Sequence, residues 1–244
     1  GIALWSSART QAQLQAAMAT PPAGTAAGLA GSWRFDEATG AVVHDRTSAG
    51  NDGYLSETPG RRPVRWTPGE DAPVDTSVFF DGVDDLIKVG DLGTRPSSGT
   101  IAFWMKPASV DNNRNVLTTG PLNSGGALGN AAIRFEQNAN GNLSAVIGTD
   151  AGQATVHTLT TNLRSGEWVH VALTWDDAEG RVRGYVDGEQ VFDHANVTWP
   201  SAFNDVQFGG GFWSFANDRY FKGQLAAVQF WDRELDPADV AAAQ

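Results

Sequence analysis

From Leu29 onward, apolar and polar residues alternate in short runs. Across 167–175, Val169, Val171, Leu173 and Trp175 alternate with His170, Ala172 and Thr174, the two-residue period of a strand with one face on a core. Residues 100–106 form another β-branched and aromatic run bounded by Gly and Pro. Turn residues fall between such runs. Asn140-Gly141 separates 133–137 from 143–147, and Asp187-Gly188 separates 182–186 from 190–192. These pairs supply the positive φ of two-residue hairpin turns. Many strands and few helices predict an antiparallel sandwich or barrel.

Helical signals stand only near the two ends. Thr10 with Gln13 has the form of a capping box, and Asp236 followed by Pro237 supplies a cap acceptor and a ring already set to helical φ. The two helices belong to one repeated element. Ile2-Ala3-Leu4-Trp5 aligns without gaps on Val228-Gln229-Phe230-Trp231, and the match continues at the same offset through Leu14 and Val240. Such self-similarity marks a tandem array. It predicts that residues 1–20 are the last strand and helix of a preceding unit, cut with this one from a larger protein. Residues 21–28 (PPAGTAAG) lack periodicity and read as a linker, leaving one complete domain at 29–244.

Composition narrows the chemistry. The absence of cysteine excludes disulfides and thiolate metal sites. No apolar run approaches the roughly 20 residues of a membrane-spanning helix. A formal charge of −11 argues against a nucleic-acid partner, which needs clustered Lys and Arg, while leaving carboxylates for solubility or for a hard cation.

The order of motifs resembles that of laminin-G-like, concanavalin A-like jelly rolls, a superfamily that includes the pentraxins. The opening is 31–37 (GSWRFDE) with Gly40, Asp45 and 50–53 (GNDG). The run 78–85 (VFFDGVDD) follows, then the strands at 100–106 and 167–175 and 185–188 (YVDG). The close is Gly223-Gln224-Leu225 through Trp231 and the capped helix. The resemblance implies an all-β fold of two antiparallel sheets packed face to face, with short capped helices at both ends and often with bound calcium. Ala226-Ala227 depart from the acidic residues that the family commonly carries after the Gly-x-Leu start of its last strand.

Three regions are candidate sites. Resemblance to pentraxins carries calcium ligation to Asp84 and Asp85 in the acidic turn 81–85; calcium takes six to eight oxygens, and the alternative is a hairpin whose aspartates bond their own backbone. Asp36, Asp45, Asn51 and Asp52 form a second oxygen-rich group, either a structural calcium site or an Asx-type turn. The stretch 212–220 holds Trp213, Asp218, Arg219 and Tyr220, an aromatic and polar set suited to stacking on a sugar ring and bonding its hydroxyls. Its alternative is a small core under the loop. Trp66 and Trp199 are weaker candidates, and Trp33, Trp104, Trp168, Trp175 and Trp231 are expected in the core.

Catalysis is not expected. A retaining glycosidase's pair typically sits at alternate strand positions, as in Glu-x-Asp-x-Glu; that triplet does not occur, and Glu136 beside Arg134 lacks a second acid at the needed spacing. His44, His157, His170 and His194 show no metal-ligand spacing. The expectation is a non-catalytic extracellular module, secreted or on a cell surface, binding a glycan with calcium support. The alternative is a structural or adhesive spacer whose partners are neighbouring copies of the same domain.

Overall fold

The computed structural model describes residues 4–5, 29–31, 33, 37, 39–48, 50–55, 65–68, 76–120, 132–151, 153–203, 205–210 and 219–242. The expected helix around Thr10 and Leu14, the linker 21–28, and Asp36, Trp213 and Asp218 lie outside them.

In chain order the strands begin β1 (Leu4–Trp5), β2 (Leu29–Gly31), β3 (Val42–Val43), β4 (Gly53–Leu55), β5 (Arg65–Pro68), β6 (Thr76–Asp81) and β7 (Ile87–Gly90). They continue with β8 (Gly93–Thr94), β9 (Ser98–Pro107), β10 (Arg114–Thr118), β11 (Ile133–Gln137), β12 (Leu143–Gly148) and β13 (Ala154–Thr160). The last are β14 (Val169–Asp176), β15 (Arg181–Val186), β16 (Glu189–Ala195), β17 (Ala202–Phe203), β18 (Val206–Phe208) and β19 (Lys222–Trp231), before helix α1 (Pro237–Ala242).

Two sheets carry the fold. The first runs β16-β15-β14-β9-β19-β1-β2, with β6 also on β19 and β5 on β6. The second runs β13-β12-β11-β10-β18-β7-β4-β3. This is the expected jelly-roll sandwich. Alternation aims one face of each sheet at the other. Phe103 on β9 meets Phe135 on β11 edge-on at 4.9 Å, and Phe230 on β19 meets Phe208 on β18 at 6.4 Å. Trp33, Phe80, Ile101, Leu173 and Trp175 fill the same core. Each large side chain so buried contributes on the order of 2 kcal/mol by removal from water.

The hairpins differ in kind. Asp187 (φ 48°) and Gly188 (φ 77°) both adopt positive φ, the two-residue turn expected between β15 and β16. Between β11 and β12 only Gly141 does so. There the loop is longer, because the Asn138 carboxamide oxygen accepts from the Asn140 and Asn142 amides.

Helix α1 packs on the outer face of the first sheet, where Val240 and Leu235 join Ala102, Ala172, Tyr185 and Trp231. Trp33, Trp175 and Trp231 are buried as expected. Trp104 and Trp168 are not core: both are half-buried, Trp104 beside His170 at 5.3 Å and Trp168 beneath the Lys106 ammonium at 5.9 Å.

Candidate functional site

The turn from β6 to β7 folds its aspartates inward. The Asp81 amide donates to Asp85 Oδ2 at 2.7 Å, and the Val83 amide donates to Asp81 Oδ1 at 2.8 Å. One oxygen each from Asp81, Asp84 and Asp85 lies within 4.8 Å of the others, and Asp85 is buried. This is the one group of three potential metal ligands among the described residues. Crowded like charges repel, and a buried carboxylate repels most in low dielectric, so the hard-oxygen set fits a calcium-sized cation.

Arg114 ties this turn to the neighbouring chain. Its guanidinium donates to the Tyr220 carbonyl at 2.8 Å and to the Gly82 carbonyl at 3.5 Å. Tyr220 runs alongside β10 at Asn115, whose amide donates to the Arg219 carbonyl at 2.8 Å. At Gly210 a Cβ would stand 2.6 Å from the Tyr220 ring and 3.2 Å from the Asp85 carbonyl, so ring, acidic turn and Gly210 backbone meet there. Two expected sites, the acidic turn and the Arg219-Tyr220 end of the aromatic stretch, are therefore neighbours.

Beside them lies a feature that the sequence reading missed. On β18, Gln207 stands between core residues Val206 and Phe208; on β11, Arg134 stands between Ile133 and Phe135. Both thus belong to the face of the second sheet turned away from the core. Register sets Gln207 opposite Thr118 and Thr118 opposite Arg134, while Asn115 stands opposite Glu136. Asn115, Thr118, Arg134 and Gln207 are each no more than 2% exposed. Arg134 is paired with Glu136 at 3.0 Å, and Gln207 Nε2 donates to Asp205 at 2.8 Å. The Asn115 carboxamide, the Thr118 hydroxyl and Gln207 Oε1 find no hydrogen-bond partner among the described residues. Each such orphan costs about 1–3 kcal/mol, so a group of them on one face needs a reason. Burial, opposed by Glu136 and assisted by the nearby Arg219 charge, lowers the Arg134 pKa, although a guanidinium stays protonated.

The second expected calcium group is organised as a turn. Asp45 accepts from the Thr47 amide and hydroxyl and from the Asn51 amide; Asp52 accepts from the Asp45 amide and lies 3.3 Å from His44 Nδ1. Trp33 Nε1 donates to the Asn51 carbonyl. Trp66 donates to the Gly40 carbonyl, and Trp199 packs on Trp175 and beneath Arg95.

The histidines also hold an unforeseen contact. His157 on β13 and His194 on β16 approach at 2.8 Å between Nδ1 atoms, joining the outer edges of the two sheets. Burial and the His194 charge depress His157 to about 4, and burial alone depresses His170 to about 4.

With this geometry established, a family model described as the concanavalin A-like lectin/glucanases superfamily matches residues 81–241. The chain belongs to that superfamily. As a concanavalin A-like domain it resembles solved structures of low identity, a likeness that extends to the fold. Domain 4 of an extracellular arabinanase from Geobacillus stearothermophilus, solved with arabinotriose, aligns at TM-score 0.61 and 19% identity, over 82% of this chain and 92% of that one. A pentraxin from Limulus polyphemus aligns at 0.51 and 21%, over 68% and 79%. A sialidase module from Ruminococcus gnavus, bound to α2,3-sialyllactose, aligns at 0.52 and 16%, over 68% and 95%. A search of curated proteins returns no match.

Proposed function

We propose that this concanavalin A-like domain is a non-catalytic, extracellular glycan-binding module whose ligand occupies the outward face of the second sheet. The observation that carries the reading is the buried group Asn115, Thr118 and Gln207, whose polar atoms lack partners among the described residues. All three are no more than 2% exposed, so a sugar meets them only once they are uncovered; an amide and a hydroxyl without partners among the described residues then suit the alternating donors and acceptors of its hydroxyls. Arg134, Glu136 and Arg219 add charged groups beside them, and Tyr220 adds a ring for stacking. Two of the structural neighbours are modules solved with oligosaccharides, which supports the same reading. The expected contribution of Trp213 and Asp218 belongs to this proposal.

Asp81, Asp84 and Asp85 would hold the calcium ion. Bound there, calcium supplies charge neutralisation that lets three carboxylates share one turn. The protein's part is to brace that turn through Arg114, which also holds the Tyr220 carbonyl, and through the hydrogen bond that the Asp81 amide donates to Asp85.

A glycan array run with and without calcium tests the module as a whole. A glycan retained by the parent should bind at least tenfold more weakly to Asn115→Ala and to Gln207→Ala, and Trp213→Ala should lose it. Folded variants that bind as tightly as the parent would move the site elsewhere. For the metal, millimolar calcium should raise the melting temperature of the parent, as binding to the folded state alone requires. Asp84→Ala should abolish that rise, and a parent whose melting ignores both calcium and chelator would remove the metal from the proposal.

A further inference from the structure

The two sheets meet at one open edge through a pair of histidine rings. β13 ends the second sheet and β16 ends the first, and no described strand lies beyond either. His157 stands opposite Ala145 of β12, and His194 stands opposite Val182 of β15. Ala145 and Val182 belong to the core, and residues directly opposite share a face, so each histidine turns inward towards the other sheet.

The rings meet through like atoms. Their Nδ1 atoms lie 2.8 Å apart and their ring centres 5.0 Å apart, so the two nitrogens face each other almost in line. Phe192 walls one side of the pair, stacked on His194 at 4.9 Å and standing 5.5 Å from His157. His157 is buried and its Nε2 lies 3.0 Å from the Thr155 hydroxyl, whereas His194 is exposed to water. A separation of 37 residues, across two sheets, hides this pair from any reading of short-range spacing.

We propose that His157 and His194 form a two-nitrogen site for a divalent transition metal, zinc or copper, which clips the open edges of the two sheets together. Neutral imidazole suits zinc, copper and nickel, whereas calcium takes oxygen ligands. The site thus differs in kind from the acidic turn, and it shares no residue with that turn or with the glycan reading. A tetrahedral ion at about 2.0–2.1 Å from each nitrogen sets the two nitrogens about 3.3 Å apart. The rings therefore part by about 0.5 Å to admit it, a movement open to His194 near the exposed end of an edge strand. In the metal-free pair one ring donates its Nδ1–H to the lone pair of the other. When the ion enters, that proton passes through solvent to Nε2 of the same ring. Both Nδ1 lone pairs then face the ion, and no proton is lost overall. The His157 Nε2–H donates to Thr155, the outer contact that fixes a metal-bound imidazole, and water completes the coordination on the exposed side.

Thermal melting of the untagged chain, stripped with chelator and held at pH 7.5, tests the site. Ordinary histidine is neutral at that pH. Zinc at about 100 µM should raise the melting temperature by about 3 °C or more, as binding to the folded state alone requires. His157→Ala should lose that rise, and so should His194→Ala, whose exposed position keeps the variant folded. Asp84→Ala should keep it. His44→Ala should keep it too, although His44 lies 3.3 Å from Asp52 and offers zinc a rival pair. A second readout is the electron paramagnetic resonance spectrum with copper(II), which should show coupling to two imidazole nitrogens in the parent and lose it in His194→Ala. A melting temperature unmoved by zinc, a rise that outlasts both histidine variants, or a rise that vanishes with Asp84→Ala would each overturn the proposal. So would a copper spectrum without coupling to two nitrogens.

Discussion

At position 209 the backbone passes directly beneath the Phe80 ring. Gly209 has φ +82°, and a Cβ there would collide with three carbons of that buried ring. Gly209→Ala therefore combines a left-handed backbone penalty with overpacking of a core aromatic that cannot swing aside. We expect a loss of about 3 kcal/mol or more, read from the urea midpoint; a variant within 1 kcal/mol of the parent would show that the ring yields. Single residues were legible where the period alone decides. Trp175 is buried because it shares a face with Leu173 and Val171, as the alternation implies. Trp104 is half-buried because Ile101, Phe103 and Met105 set the phase of β9 and leave it on the outer face. Asn115, Thr118 and Gln207 were not legible as residues of the proposed site. The period reveals which face a polar residue takes, yet burial on that face depends on chain distant in sequence.

Elements with their own chemical signature were the most readable. Asp236 accepts from the Asp239 amide at 2.8 Å, the cap expected from Asp-Pro, and α1 begins at Pro237. Asp239 in turn takes the Arg233 guanidinium at 2.7 Å, so the first turn is pinned from both sides. Asp236→Ala should cost about 1 kcal/mol by loss of the cap. The damage should appear as faster hydrogen exchange within 237–242 ahead of global unfolding, while Asp236→Asn keeps most of the protection. An unchanged exchange pattern would mean that Val240 and Leu235 anchor the helix unaided. The acidic turn at 81–85 was equally visible as a turn, because Asp and Gly cluster there between two apolar runs. Its proximity to Tyr220 was not: the two meet at Gly210 and Arg114, which come from two other parts of the chain.

For the whole molecule, motif order revealed the sandwich but not which strands lie at its open edges, and that is where the histidine pair sits. His157 joins β13, the edge of the second sheet, to His194 on β16, the edge of the first. His170 lies within the first sheet and is buried. Both His157 and His170 are held near 4, whereas an unfolded histidine titrates near 6.5. Below pH 6.5 the unfolded chain binds protons that the folded chain refuses. The stability tied to these two groups is thus complete above pH 6.5 and is lost as pH falls towards 4, by at most about 3 kcal/mol each. A domain stable by about 5–15 kcal/mol would feel that loss strongly. Ordinary carboxylates titrate near 4, so the interval from pH 6.5 to 4.5 isolates the histidines from the acidic surface. Urea unfolding in half-unit steps across that interval should show falling stability in the parent and a shallower fall in His157→Phe and in His170→Phe. The double variant should be nearly flat. A parent equally stable at pH 7 and 4.5 would mean that the folded chain lets both rings protonate, and that the contact between the sheet edges opens in acid at no cost to the fold.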